Sequence, residues 1–180
     1  MRIFGFAGWS GSGKTTLIEQ VIPRLVERGL AVSLIKHAHH RFDIDHPGKD
    51  SFRHRKAGCR EVLVTSGARW ALMHELGDRP ELTLPEALAL LAPCDLALVE
   101  GYKAFAIPKL EVWRAGLGKP MLHPGDPYIV AVASDRPESL PPSALPHLAL
   151  DDYDGVATLV IERAARPDAG IDDLRTARVP

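Results

Sequence analysis

Cysteine is nearly absent: Cys59 and Cys94 are the whole complement of the 180 residues, they lie far apart, and neither belongs to a CxxC pair. Neither a disulfide framework nor a thiolate zinc site is indicated, and two reduced thiols point to a reducing, cytoplasmic setting. No apolar run approaches the roughly 18 residues that a membrane span needs. The opening Arg2-Ile3-Phe4-Gly5-Phe6 has no charged flank, apolar stretch and small-residue cleavage site of a signal peptide. An excess of charge is missing too: 22 basic against 23 acidic residues leave a net charge of -1, so neither nucleic acid nor membrane is expected as a partner. Internal repeats and low-complexity segments are likewise absent. The 46% apolar and 25% charged fractions are those of a globular protein. The length suits one domain, expected over residues 1–166, with a loosely held tail at 167–180 where the apolar period fails.

What is present begins with Gly8-Trp9-Ser10-Gly11-Ser12-Gly13-Lys14-Thr15, a complete G-x-x-x-x-G-K-[ST] phosphate loop. Apolar residues at 3, 4 and 6 make a short strand before it. A helical period through Leu17, Ile18, Val21, Ile22, Leu25 and Val26, stopped by Gly29, follows it. Pro23 should bend that helix near Glu19. Glycines let successive N-H groups of the loop (Gly8, Ser10, Gly11, Ser12, Gly13) face an anion, and the helix terminus adds its partial positive charge. Lys14 would supply full charge to the outer phosphates, Thr15 a hydroxyl to Mg2+, and Thr16 a contact at the innermost phosphate.

Further strands are expected at 31–35, 61–65, 69–75, 96–99, 109–113, 128–133 and 148–150, with helices at 51–57, 85–92 and 153–165. Asp50 is a candidate helix cap, and Ser66-Gly67-Ala68 a hairpin turn. Strands alternating with helices predict the P-loop NTPase form of α/β architecture: three layers, a mainly parallel sheet, helices on both faces. Ligands bind at the carboxyl ends of such strands, so the loops after residues 7, 36, 65, 99 and 133 should share one rim.

Three segments would stand there. Leu96-Ala97-Leu98-Val99-Glu100 ends in the acid that would hold the metal with Thr15, Asp95 being the weaker candidate. Lys36 to Asp50 holds four histidines and three aspartates. Its His37, His39, His40, Asp43 and Lys49 could contact a nucleotide or second ligand while Asp43 or Asp45 approaches Mg2+, Asp45 being the named metal candidate; a transition-metal site and a mobile polar loop are the other readings. Most local Lys, Arg and His lie between 36 and 60, and Arg53, Arg55 and Lys56 suit a solvated basic face better than an arginine finger. Finally, Val130-Ala131-Val132-Ala133-Ser134-Asp135 ends in a carboxylate able to accept from guanine N1 and N2, which adenine cannot offer, so GTP is expected over ATP.

Taken together, Gly8–Thr15, Lys36–Arg55 with its Asp-Ile-Asp-His-Pro-Gly-Lys-Asp-Ser core, Thr65–Leu76 containing Arg69-Trp70-Ala71, and Val99-Glu100-Gly101-Tyr102-Lys103 resemble the MobB family of molybdopterin-guanine dinucleotide biosynthesis adaptors. The resemblance covers about residues 2–135. It implies a homodimer that binds GTP and Mg2+, has weak intrinsic GTPase activity and assists MobA, the molybdopterin guanylyltransferase that attaches GMP to molybdopterin, with molybdopterin itself a further candidate ligand. A related dimeric ATPase group often has a signature Lys early in its loop, where this chain has Trp9, so a lysine finger is not carried over. Two other classes remain at this point. A metallocentre chaperone GTPase would require stoichiometric Ni or Zn binding by the histidine loop. A small-molecule kinase would prefer ATP and transfer phosphate to an acceptor.

Overall fold

The computed structural model describes residues 1–38 and 42–166; His39, His40 and the expected tail lie outside the described residues. The chain divides into two compact units, one of Met1–His37 with the chain from Thr83 onward, the other of Ala38–Leu82. In chain order the elements are β1 (Arg2–Ala7), α1 (Lys14–Glu27) and β2 (Val32–Lys36) of the first unit; α2 (Asp50–Lys56), β3 (Glu61–Thr65) and β4 (Trp70–His74) of the second; then α3 (Leu84–Ala89), β5 (Leu96–Glu100), β6 (Lys109–Trp113), β7 (Ile129–Ser134), β8 (His147–Ala149) and α4 (Tyr153–Arg163) of the first.

Six strands form one sheet in the order β2-β5-β1-β6-β7-β8, and every neighbouring pair is parallel. Alternation along the strands explains its two covered faces. Phe4, Phe6, Leu96, Leu98, Leu110, Val112, Ala131 and Ala133 point one way, into a core closed by Leu17, Ile18, Val21 and Leu25 of α1 and Val156, Ala157, Leu159 and Val160 of α4. Ile3, Ala97 and Val99, one residue out of phase, join Leu84 and Leu88 of α3 on the other face. The expected three layers are therefore present, with α1 running through Pro23 as one helix.

Parallel strands bring the ends of β1, β2, β5, β6 and β7 to one rim, as expected for the loops after residues 7, 36, 99 and 133. The loop after residue 65 differs. Thr65 leads into a four-residue turn, Ser66 N–H donating to the Arg69 carbonyl at 2.9 Å, and so short a connection forces the antiparallel two-stranded sheet β3-β4. Another correction concerns Asp50, which is the first residue inside α2; the cap position is Lys49, which makes no side-chain cap bond. Side-chain caps are built at α3, where the Thr83 hydroxyl accepts from Glu86 N and the Glu86 carboxylate accepts from Thr83 N, a reciprocal box with Pro85 in its first turn, and at α4, where Asp152 accepts from the Gly155 amide.

Candidate functional site: the phosphate loop and its rim

The loop between β1 and α1 is shaped by glycine. Gly8 has φ +145°, and a Cβ there would lie 2.4 Å from the Val112 carbonyl oxygen of β6. Gly13, at φ +100°, caps α1 in the left-handed conformation, and a Cβ there would approach the Arg114 guanidinium at 3.3 Å. Within the loop Ser12 is buried, and its hydroxyl has no hydrogen-bond partner among the described residues. An orphaned buried hydroxyl in a glycine-rich loop at a helix N-terminus fits a phosphate oxygen.

Lys14 reaches back across the loop, its Nζ donating to the carbonyls of Gly8 at 3.0 Å and Trp9 at 2.9 Å. Burial holds its pKa below the usual lysine value; the Glu100 carboxylate opposes this, while the charges of Lys103 and Lys36 add to it. A bound polyanion would relieve both the burial cost and the repulsion.

Thr15 and Glu100 come together as anticipated. The Thr15 hydroxyl donates to Glu100 Oε1 at 2.8 Å, and Glu100 is only 6% exposed at the end of β5. Lys36, at the end of β2, completes the cluster: its Nζ lies 3.2 Å from Glu100 Oε2 and donates to Thr15 Oγ1 at 3.3 Å. A hydroxyl and a carboxylate are hard oxygen donors of the kind Mg2+ accepts, and that ion ordinarily takes only one or two protein groups beside phosphate and water. Among the described residues no group of three or more His, Cys, Asp or Glu could hold a metal. Asp95 sits at the opposite end of β5, accepting from the Ala31 amide at 2.8 Å, and is thereby removed as a metal candidate at this rim.

On the other side of Gly13 lies a cleft of about 260 Å³, whose lining includes Thr16, Arg114, Asp135, Asp151 and Tyr153. Arg114 follows β6 and ties the cleft to the loop: its Nε donates to the Ser12 carbonyl at 3.0 Å and its Nη1 to Asp135 Oδ2 at 3.4 Å.

His37 stays with the rim, its amide donating to the Glu100 carbonyl at 2.8 Å and its ring 4.8 Å from that of Tyr102. Asp43, Asp45 and Lys49 belong to the second unit. There Arg55 binds Asp43 through Nη2 at 2.7 Å, Asp45 through Nε at 3.3 Å and Glu75 through Nη1 at 2.6 Å, and Asp45 also accepts from the Ser51 hydroxyl at 2.8 Å. This chelation, Arg55 foremost, holds the Asp43 carboxyl below the usual carboxylate range and raises the guanidinium pKa.

The model of the family "Molybdopterin guanine dinucleotide synthesis protein B" matches residues 3–135. The chain is 44% identical over 163 residues to the molybdopterin-guanine dinucleotide biosynthesis adapter protein of Escherichia coli (strain K12), covering 89% of this chain and 91% of that protein. This chain belongs to the MobB family. A second MobB relative, the adapter protein of Haemophilus influenzae, is 43% identical over 141 residues, 75% of either chain. The crystal structure of a MobB homologue from Bacillus stearothermophilus superposes with a TM-score of 0.64 at 28% identity, covering 90% of this chain and 97% of that one. The curated MobB relatives are named as adapters of dinucleotide synthesis, which favours that reading over the metallocentre chaperone and the kinase.

The MobB match takes in the loop, Glu100, Arg114 and Asp135, and stops short of Asp151 and α4. Lys36, Lys103, Arg114 and Asp151 escaped the sequence reading of the site. For Lys36 a signal existed, since a cation ending a strand beside the loop stands on the same rim as Glu100. Arg114 and Asp151 sit in no recognisable spacing, Lys103 ends the Val99–Lys103 stretch of the family resemblance without a role assigned to it, and only the sheet order brings these three near Gly13 or Trp9.

Proposed function

We propose that this chain is a GTP-binding adapter in molybdenum cofactor biosynthesis that assists MobA in attaching GMP to molybdopterin, with weak Mg-dependent GTPase activity of its own. The observation that carries the nucleotide reading is the phosphate loop itself: an orphaned buried hydroxyl, three glycines at positive φ of which Gly8 has no room for a Cβ, and Thr15 bonded to a buried strand-end carboxylate. Gly8 and Ser10 to Thr16 would cradle the phosphates, and Thr15 with Glu100 would hold Mg2+. When bound, that ion supplies charge neutralisation between the outer phosphates. Asp45 is left to the Arg55 cluster, and a metal role for it finds no support in its partners.

Guanine is supported by the two carboxylates, Asp135 and Asp151, that line the cleft beside Gly13. Asp135 is already oriented by Arg114, so it presents a fixed acceptor. A homodimer is supported by the β3-β4 sheet, where Leu63, Leu72 and Trp70 are exposed at cross-strand neighbouring positions, since a two-stranded sheet needs cover to be stable. A cytoplasmic location agrees with the reduced cysteines, and among the described residues no helix is long and apolar enough to cross a membrane.

Calorimetric titration with GTP and ATP, with and without Mg2+, tests the nucleotide part. Wild type should bind Mg-GTP, Lys14→Ala should not, and Asp135→Ala should narrow the GTP/ATP ratio, because guanine would lose an acceptor that adenine does not use. A ratio unchanged by Asp135→Ala would remove that residue from the base site.

A further inference from the structure

The charges of Lys36 and Lys103 both act on Lys14 beside the loop, with Glu100 the opposing carboxylate. Lys36 is paired with that carboxylate, and Lys14 is turned onto the Gly8 and Trp9 carbonyls. Lys103 has neither kind of partner among the described residues; its Nζ lies 4.5 Å from the centre of the Trp9 ring. The ring is itself pinned, Nε1 donating to the Pro120 carbonyl at 2.8 Å, and Lys119 stands 5.8 Å from its centre. Partial burial without a carboxylate holds the Lys103 pKa below its usual value.

The backbone that carries Lys103 is firmly built. Its carbonyl accepts from Lys109 Nζ at 3.0 Å, and the Phe105 carbonyl from the same atom at 2.7 Å. Lys109 is fully buried and paired with Asp126 at 2.7 Å. Just upstream, Gly101 at φ +99° and Tyr102 at φ +48° turn the chain sharply after Glu100, a conformation rare for a residue with a side chain. The Tyr102 ring is braced against Phe105 at 5.2 Å. Lys103 follows this bend directly, and its backbone is held by the buried lysine six residues on.

Trp9 lies at the end of the loop remote from Gly13 and Thr16, which line the cleft with Asp135. If the base occupies that cleft, as the proposed function has it, the last phosphate of a triphosphate lies at the Gly8–Trp9 end. A cation over an aromatic ring is held more weakly than one bonded to a phosphate, so transfer from ring to phosphate is downhill. We propose that Lys103 is a terminal-phosphate contact of this site, held ready on the Trp9 ring by the bend after Glu100 and moved onto the last phosphate of a nucleoside triphosphate. The residue distinguishes triphosphate from diphosphate.

The test uses the full chain, a non-hydrolysable GTP analogue and GDP, both with Mg2+, titrated calorimetrically against wild type, Lys103→Met, Lys103→Arg and Lys14→Ala. Lys103→Met should weaken the triphosphate analogue about tenfold or more while leaving GDP within about twofold, and Lys103→Arg should restore most of the loss. In wild type the analogue, but not GDP, should change tryptophan emission, and that change should vanish in Trp9→Phe. Equal weakening of both nucleotides, or an unchanged ratio, overturns the proposal and leaves the nucleotide reading intact. Wild type binding neither nucleotide overturns both.

Discussion

Gly8 is the residue on which the geometry of the loop turns. Its φ of +145° and the Val112 carbonyl, 2.4 Å from where a Cβ would stand, leave no room for a side chain. Gly8→Ala should therefore cost more than about 1 kcal/mol in a urea denaturation series. Gly116→Ala, where nothing lies within 4 Å, should stay within about 0.5 kcal/mol of wild type. Equal stability of the two variants would contradict this account of the loop. Residues of this kind were legible beforehand because a phosphate loop is contiguous, and each position carries its own physical demand. Glu100 was legible for a related reason, an acid closing an uninterrupted apolar strand. Arg114 was not, since it reaches the loop from a different piece of chain and a lone cation after a strand has no signature; Lys103 stood in a recognised stretch, but nothing in the sequence set it against Trp9. Asp135 was foreseen as an acceptor, but its guanidinium partner was not.

Among the elements, β6 departs furthest from what its sequence suggested. Its bounds, Lys109–Trp113, agree with the apolar pattern, yet two of its residues are charged and wholly buried. Lys109 bonds Asp126 and the carbonyls of Lys103 and Phe105; Glu111 accepts from the Leu122 and His123 amides at 2.5 and 2.9 Å. The strand thereby fastens the chain before it and the chain after it. Propensity and periodicity cannot reveal such a role, which depends on acceptors supplied by distant carbonyls. Removing one partner of a buried pair strands the other, so Lys109→Ala should lower stability by about 3 to 5 kcal/mol. The double variant Lys109→Met, Asp126→Asn should lose less than the sum of the two single changes, as read from denaturant midpoints. Strict additivity would show that the pair is not coupled. The hairpin and the parallel sheet were read correctly from turn residues and alternation, while residue 65 was counted with the parallel strands although it ends a strand of the separate two-stranded sheet.

At the scale of the whole molecule, the first unit carries the phosphate loop and the second carries most of the Lys36–Arg55 segment that gave the family resemblance its second stretch. Arg55 organises the second unit by gathering Asp43, Asp45 and Glu75. Because the Asp43 pKa is lowered in the fold, its contribution is present above the ordinary aspartate value, about 3.9, and is lost as pH falls from there through the lowered one. Amide exchange protection at Asp45, which donates to Asp43, should fall in that window, and Arg55→Met should remove the protection at neutral pH. Protection that persists in Arg55→Met would mean that the cluster does not hold the segment. The central claim joins the loop to the pathway named by the MobB relatives, and one reconstitution tests it most directly. Molybdopterin-guanine dinucleotide yield is measured from purified MobA, molybdopterin and Mg-GTP, with no addition, with this protein, and with its Lys14→Ala variant. The account predicts stimulation by wild type and its loss in the variant; no stimulation at any GTP concentration, or equal stimulation by both proteins, would contradict it.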